Sequence, residues 1–254
     1  MPTDRRGALR AGAATALAGA LTTACGTEPR PAPRRPQGPA PAAPVAAPAP
    51  RHWPGLPTEI THGPRDRPRV ALTFHGQGDP AIARALLDQA ERHGARVTVL
   101  VVGDWLDQHP ELARRILDGG HDLGNHTQRH TDVNAMSEAE AYAEIEGCAR
   151  RLRRLTGSIG TWFRPSRTQH AAESVRRAAH RAGYPHVLSY DVDSLDFTSP
   201  GPAAVAAHVT GSIRNGSVVS LHFGYPGTVA ALPLLLADLD RRGLSAVTTT
   251  ELLT

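Results

Sequence analysis

The sequence predicts an α/β fold, an incomplete and distorted β/α barrel of about seven parallel strands, with helices between them. Three observations carry that prediction. From Arg69 onward, short β-rich runs alternate with amphipathic stretches of about ten to twenty residues, the rhythm of parallel strands joined by crossover helices. Glycines stand where those helices should stop. Polar and titratable residues recur at the C-terminal ends of the strands, the rim where β/α barrels place their chemistry.

Taken in order, the predicted strands are 70–74, 96–102, 122–125, 161–163, 186–190, 218–222 and 246–249. The predicted helices are 81–93, 110–118, 137–155, 171–182, 202–213 and 228–241. Ser137 with Glu140 makes a capping box for the third helix, and Gly94, Gly157, Gly183 and Gly243 sit at helix ends. At the strand exits stand His75, His126, Arg164, Asp191 with Asp193, and His222.

This domain is expected over residues 66–254, and what precedes it reads differently. Residues 1–25 form an export signal: Asp4, Arg5 and Arg6, then a small and apolar run over 11–24, then Cys25. The paired arginines resemble a twin-arginine signal. Leu21-Thr22-Thr23-Ala24-Cys25 resembles a lipoprotein cleavage site, with Thr22 where an aliphatic residue is usual. Lipidation at Cys25 would anchor the protein to the membrane at the cell surface; simple cleavage and secretion is the alternative. Residues 26–65, rich in Pro, Ala and Arg, are expected to be a disordered, extended tether.

The net charge of +4 partly reflects arginines in the signal and tether, so it is a weak argument for nucleic acid, and none is expected as a partner. It suits acidic polymers instead. Cys25 and Cys148 are the two cysteines, and Cys148 falls within a helical pattern, so no disulfide is expected.

The sharpest local signal is His126-Thr127-Gln128-Arg129-His130. Imidazoles four apart on a helical turn share a face and can bind one divalent metal. With 13 histidines in the chain the spacing also arises by chance. Its neighbours add weight. Gly124-Asn125-His126-Thr127-Gln128-Arg129-His130 resembles the His-Ser/Thr-x-x-His motif of the polysaccharide deacetylases, the carbohydrate esterases that share the NodB homology domain. Phe163-Arg164-Pro165 resembles that family's Arg-x-Pro segment, Asp193-Ser194-Leu195-Asp196-Phe197 its Asp-x-x-Asp-Trp segment, and Ser220-Leu221-His222 its closing Leu-x-His.

The resemblance implies a metal-assisted hydrolase that removes acetyl groups from N-acetylated sugars, with zinc or another divalent cation as cofactor and a carbohydrate polymer as partner. It implies His126 and His130 as metal ligands and His222 as general acid. Arg164, with Asp193 or Asp196, would orient and tune the pocket; the sequence leaves the choice of aspartate open.

The first motif departs from the family. Where the family reads Thr-Phe-Asp-Asp-Gly-Pro, this chain reads Thr73-Phe74-His75-Gly76-Gln77-Gly78-Asp79-Pro80. His75 takes the place of the general base and Gly76 that of a carboxylate ligand. Three outcomes are open: His75 as base, His75 as third metal ligand, or no firmly held metal and a carbohydrate-binding relic of an enzyme. Asp79 either helps the metal or caps the helix that follows. The leading expectation is a deacetylase of a wall or extracellular amino-sugar polymer; a silent wall-binding lipoprotein and an O-acetyl esterase are the alternatives. Trp53, Trp105, Trp162, Tyr190, Phe197 and Phe223 are candidate sugar-stacking residues, and the other nine histidines are expected at exposed or helix-end positions.

Overall fold

The computed structural model describes residues 47–254. The predicted export signal, Cys25 and the first part of the predicted tether lie outside the described residues. Eight short strands follow in the order β1 (Glu59–Ile60), β2 (Arg69–Gly76), β3 (Thr98–Val101), β4 (Asp122–Asn125), β5 (Val187–Leu188), β6 (Val192–Asp193), β7 (Val218–His222) and β8 (Ser245–Ala246). The helices are α1 (Pro80–Arg92), α2 (Gly103–Gln108), α3 (Glu111–Asp118), α4 (Glu138–Thr156), α5 (Glu173–Arg181), α6 (Pro202–Ser212), α7 (Pro226–Arg241) and α8 (Thr249–Leu252).

Every named strand pairing is parallel, in the order β4-β3-β2-β7-β6, with β8 on the first part of β2 and β1 on β5. The wall is carried from β4 to β5 only by single bridges through Phe163, so the barrel is distorted and not fully closed. β2 is buried on both faces, which explains why residues 70–74 are apolar apart from Thr73. Its alternation decides what goes where. Val70, Leu72 and Phe74 face the layer of α1, α3, α6 and α7, while Ala71 joins Ile60, Leu100, Leu188 and Val218 inside the barrel. Thr73 and His75 share that inner face. A third apolar cluster joins α4 and α5 across Phe163 and Tyr184.

Several elements differ from expectation. Residues 161–163 form bridges rather than a strand, and α2 and β6 were not predicted. Past β8, Thr248 accepts from the Glu251 amide and makes a capping box, so the expected strand 246–249 gives way to α8. Residues 47–65, expected as tether, are packed on the domain. The Ala47 amide donates to Thr156 O at 3.2 Å, Ser158 Oγ to Pro48 O at 2.9 Å, and β1 adds to β5. The Ser137–Glu140 capping box of α4 forms as predicted. No helix among the described residues is long and apolar enough to cross a membrane.

Candidate active site

β2, β4 and β7 end at one rim, and their last side chains meet there. Strand register sets His75 beside His222. His126 follows β4, and its ring stacks on His75 with centroids 4.1 Å apart and planes 21° from parallel. His130 lies 5.0 Å from His126 by ring centroid. A helical turn is not what joins them: Thr127 and His130 have φ of 70° and 55°, and α4 begins only at Glu138. A buried β-branched residue in that left-handed region persists only where its surroundings hold it. Here Asn125 Oδ1 accepts the Thr127 amide at 2.9 Å, and Thr127 Oγ1 donates to Ser166 Oγ at 3.1 Å. α4 is shaped to this loop as well, since a Cβ on Gly147 would stand 3.2 Å from Gln128 Cβ.

A chain of hydrogen bonds crosses the centre. Arg164 Nη1 donates to His75 Nε2 at 3.3 Å, His75 Nδ1 to His222 Nε2 at 2.8 Å, and His222 Nδ1 to Asp196 Oδ1 at 2.7 Å. Only this sense gives every donor an acceptor, because a guanidinium has no acceptor and a carboxylate no donor. Asp196 Oδ2 also accepts from the His222 amide at 2.9 Å and from Thr228 Oγ1 at 2.7 Å. Burial alone would raise the Asp196 carboxyl, but the hydrogen bonds from His222 and Thr228 hold it below the usual carboxylate range.

Arg164 is fully buried and spends its other donors on Leu188 O at 3.0 Å, Ser189 O at 2.9 Å and Thr73 Oγ1 at 2.7 Å. Burial pushes its guanidinium down to about 9, which leaves it charged at neutral pH. Burial first, then the neighbouring imidazoles and Arg164, lower both His75 and His126 well below the ordinary histidine value. Burial, Arg167 and His222 lower His130 to about 4. These three rings are neutral at pH 7. His126 Nδ1 donates to Arg164 O at 3.0 Å, while its Nε2 is buried without a partner.

A cavity of about 360 Å³ opens on this centre, lined by His75, His130, Asp193 and His222 with Gln77, Arg167, Tyr190, Phe197 and Tyr225 among others. Residues 62–187 match the sequence profile described as Polysaccharide deacetylase. A Peptidoglycan-N-acetylglucosamine deacetylase of Bacillus cereus is 30% identical over 194 residues, spanning 75% of this chain and 90% of that protein. The chain belongs to the polysaccharide deacetylase family. A Chitooligosaccharide deacetylase of Bradyrhizobium sp. is 29% identical over 197 residues, 68% of this chain and 85% of its own length. In fold the chain also resembles a CE4 family pseudoenzyme from Bacillus anthracis, with a TM-score of 0.73 at 23% identity over 78% of this chain and 70% of that one.

Among polysaccharide deacetylases this is a divergent member, with His75-Gly76 where the first motif carries two aspartates. The structure brings together His75, His126, His130, Arg164, His222 and Asp196. Of the two aspartates left open by the sequence, Asp196 engages His222, whereas Asp193 Oδ1 accepts the Leu195 amide at 3.1 Å and lines the cavity. Asp191 is turned away, clasping Arg65 at 2.8 Å. Asp79 caps α1, accepting the Ala81 amide at 2.8 Å. Tyr190 and Phe197 line the cavity, while Trp162 and Phe223 are core. His121 and His186 are buried rather than exposed. Sequence reasoning missed Thr228, which lies in no motif and only gains meaning from its contact with Asp196.

The donor set fits a divalent cation in part. His126 Nε2 is a buried, neutral imidazole nitrogen without a partner, and His130 is beside it. His75 has both ring nitrogens engaged, so the third-ligand role requires giving up either the Arg164 or the His222 contact. The carboxylate position cannot supply the missing donor: a Cβ on Gly76 would stand 2.9 Å from Val101 Cγ1 and 3.1 Å from Val99 Cγ1. No group of three His, Cys, Asp or Glu donors forms among the described residues. His126 and His130 are thus the two imidazoles that could hold a divalent cation here.

Proposed function

We propose that the protein removes N-acetyl groups from an extracellular or cell-wall amino-sugar polymer, acting as an exported protein that a lipid on Cys25 would hold at the cell surface. The observation that carries this reading is the lining of one cavity by His75, His130 and His222, with His126 stacked behind His75 and His222 fixed by a buried carboxylate. His126 and His130 would hold a divalent cation, which when bound polarises the acetyl carbonyl and lowers the pKa of water. Asp196 orients His222, which would give a proton to the departing amine once its Nε2, here the acceptor from His75, has taken one up. His75 ties His222 to Arg164, and Tyr190 and Phe197 offer faces for a sugar ring.

A second reading is favoured by one distance. His75 and His222, the candidate base and acid, are bonded to each other at 2.8 Å and so occupy one another's reactive nitrogens, which supports a glycan-binding protein without turnover. Zinc content of the purified protein and acetate release from peptidoglycan and chitooligosaccharides separate the two, with His126→Ala as the control. Bound zinc and acetate release, both lost in the variant, are the expected result. Tight glycan binding with neither zinc nor acetate would sink the hydrolase reading.

A further inference from the structure

A second cleft, about 470 Å³, adjoins the first and shares Gln77 and Tyr225 with it; its far side reaches Arg129. Arg129 in turn lines a third cleft of about 430 Å³ on the flank of α4, together with Arg150, Arg151 and Arg154. The three openings follow one another along the surface, from the histidine centre to a cluster of four guanidinium groups. Part of that charge is spoken for. Arg129 Nε donates to Glu144 Oε1 at 2.6 Å, and Arg151 contacts Asp107. Arg150 has only a loose contact with Glu146 at 3.7 Å, and Arg154 is exposed with no partner among the described residues.

The helix dipole explains some of this pattern but not all. α4 is acidic over its first half and basic over its second, as its macrodipole favours. That accounts for charges at the last turn. It does not account for Arg129, which comes from the His126–His130 loop and closes the same cleft from the other side. Nor does a dipole effect require a concave surface with an unpaired guanidinium on it.

We propose that the α4 cleft binds a linear polyanion, a polymer of closely spaced phosphates or carboxylates that lies along the track leading to the histidine centre. Guanidinium groups pair with either anion through their fork of donors, so the two sources share one chemistry. The site acts by binding and needs no turnover, so it stands apart from the hydrolase reading.

The test measures binding of inorganic polyphosphate and of poly-L-glutamate, with dextran as an uncharged control. Three proteins are compared: wild type, Arg150→Glu/Arg154→Glu, and Arg67→Glu/Arg92→Glu, which makes the same charge change at two exposed sites off the track. Wild type is expected to bind at least one polyanion and not dextran. Affinity should fall about tenfold or more in the α4 variant, little in the control, and be suppressed as added salt shortens the screening length. Whichever polyanion binds more tightly names the source. Absence of polyanion binding by wild type, or equal losses in the two double variants, overturns the proposal.

Discussion

Asp196→Asn should disturb two histidines, not one. The carboxylate accepts three hydrogen bonds, from His222 Nδ1, the His222 amide and Thr228 Oγ1. The introduced amide has one acceptor oxygen. If that oxygen serves the His222 amide and Thr228, its NH2 faces His222 Nδ1 and drives the ring proton to Nε2. His75 Nδ1 must then accept, its own proton moves to Nε2, and that proton meets the Arg164 Nη1 donor. If instead the ring keeps its tautomer, two donors face each other at position 196. Either way one buried donor is left unmatched, at about 1–3 kcal/mol, and charge-assisted bonds become neutral ones, for a total loss of about 2–4 kcal/mol. Thermal unfolding would show this as a drop of several degrees. Nitrogen-15 NMR of the imidazoles reads the tautomers directly, and acetate release should fall about a hundredfold or more if His222 is the acid. An unchanged melting temperature together with an unchanged His222 tautomer would refute this wiring.

Two further outcomes follow from burial. Gly76→Asp alone should destabilise by about 1–3 kcal/mol in denaturant titration, because its Cβ meets Val101 and Val99, and should not raise zinc stoichiometry; a gain in bound zinc without loss of stability would contradict the packing. Cys148, whose thiol burial pushes up to about 12, should escape iodoacetamide at pH 8 in the native protein and react once unfolded, with peptide mass spectrometry separating it from Cys25.

Much of the fold was legible because its signals are local. The apolar run of β2, the Ser137–Glu140 capping box and the glycines that end helices each act within a few residues. What could not be read depends on partners far along the chain. β1 is two residues inside a proline-rich stretch and exists only because β5 offers a free edge. Around Phe163 the sequence suggested a strand over 161–163, but the chain only touches β4 and β5 there through single bridges. In the site, resemblance to family motifs pointed to His126, His130 and His222, but the spacing of the first two suggested a helical turn where the chain uses two left-handed residues. The choice of Asp196 over Asp193 follows from Thr228 and the His222 amide, neither of which any motif marks.

The exchange of the first-motif aspartates alters the electrostatics of the centre more than its shape. Arg164 is sealed in the interior over the ring of Tyr190, and its four hydrogen bonds go to two carbonyls, a hydroxyl and the neutral ring of His75. No carboxylate touches it. Its charge therefore acts outward on its surroundings, and it is among the influences that lower both His75 and His126. The same field opposes a second cation at His126 Nε2, the one buried imidazole nitrogen without a partner among the described residues. An aspartate at position 75 would have answered the guanidinium with an anion; a histidine answers it with a lone pair and passes the polarisation on to His222 and Asp196. The centre has thus become a wire between a buried cation and a buried anion. Any cation it takes up must be held by two imidazoles against that charge.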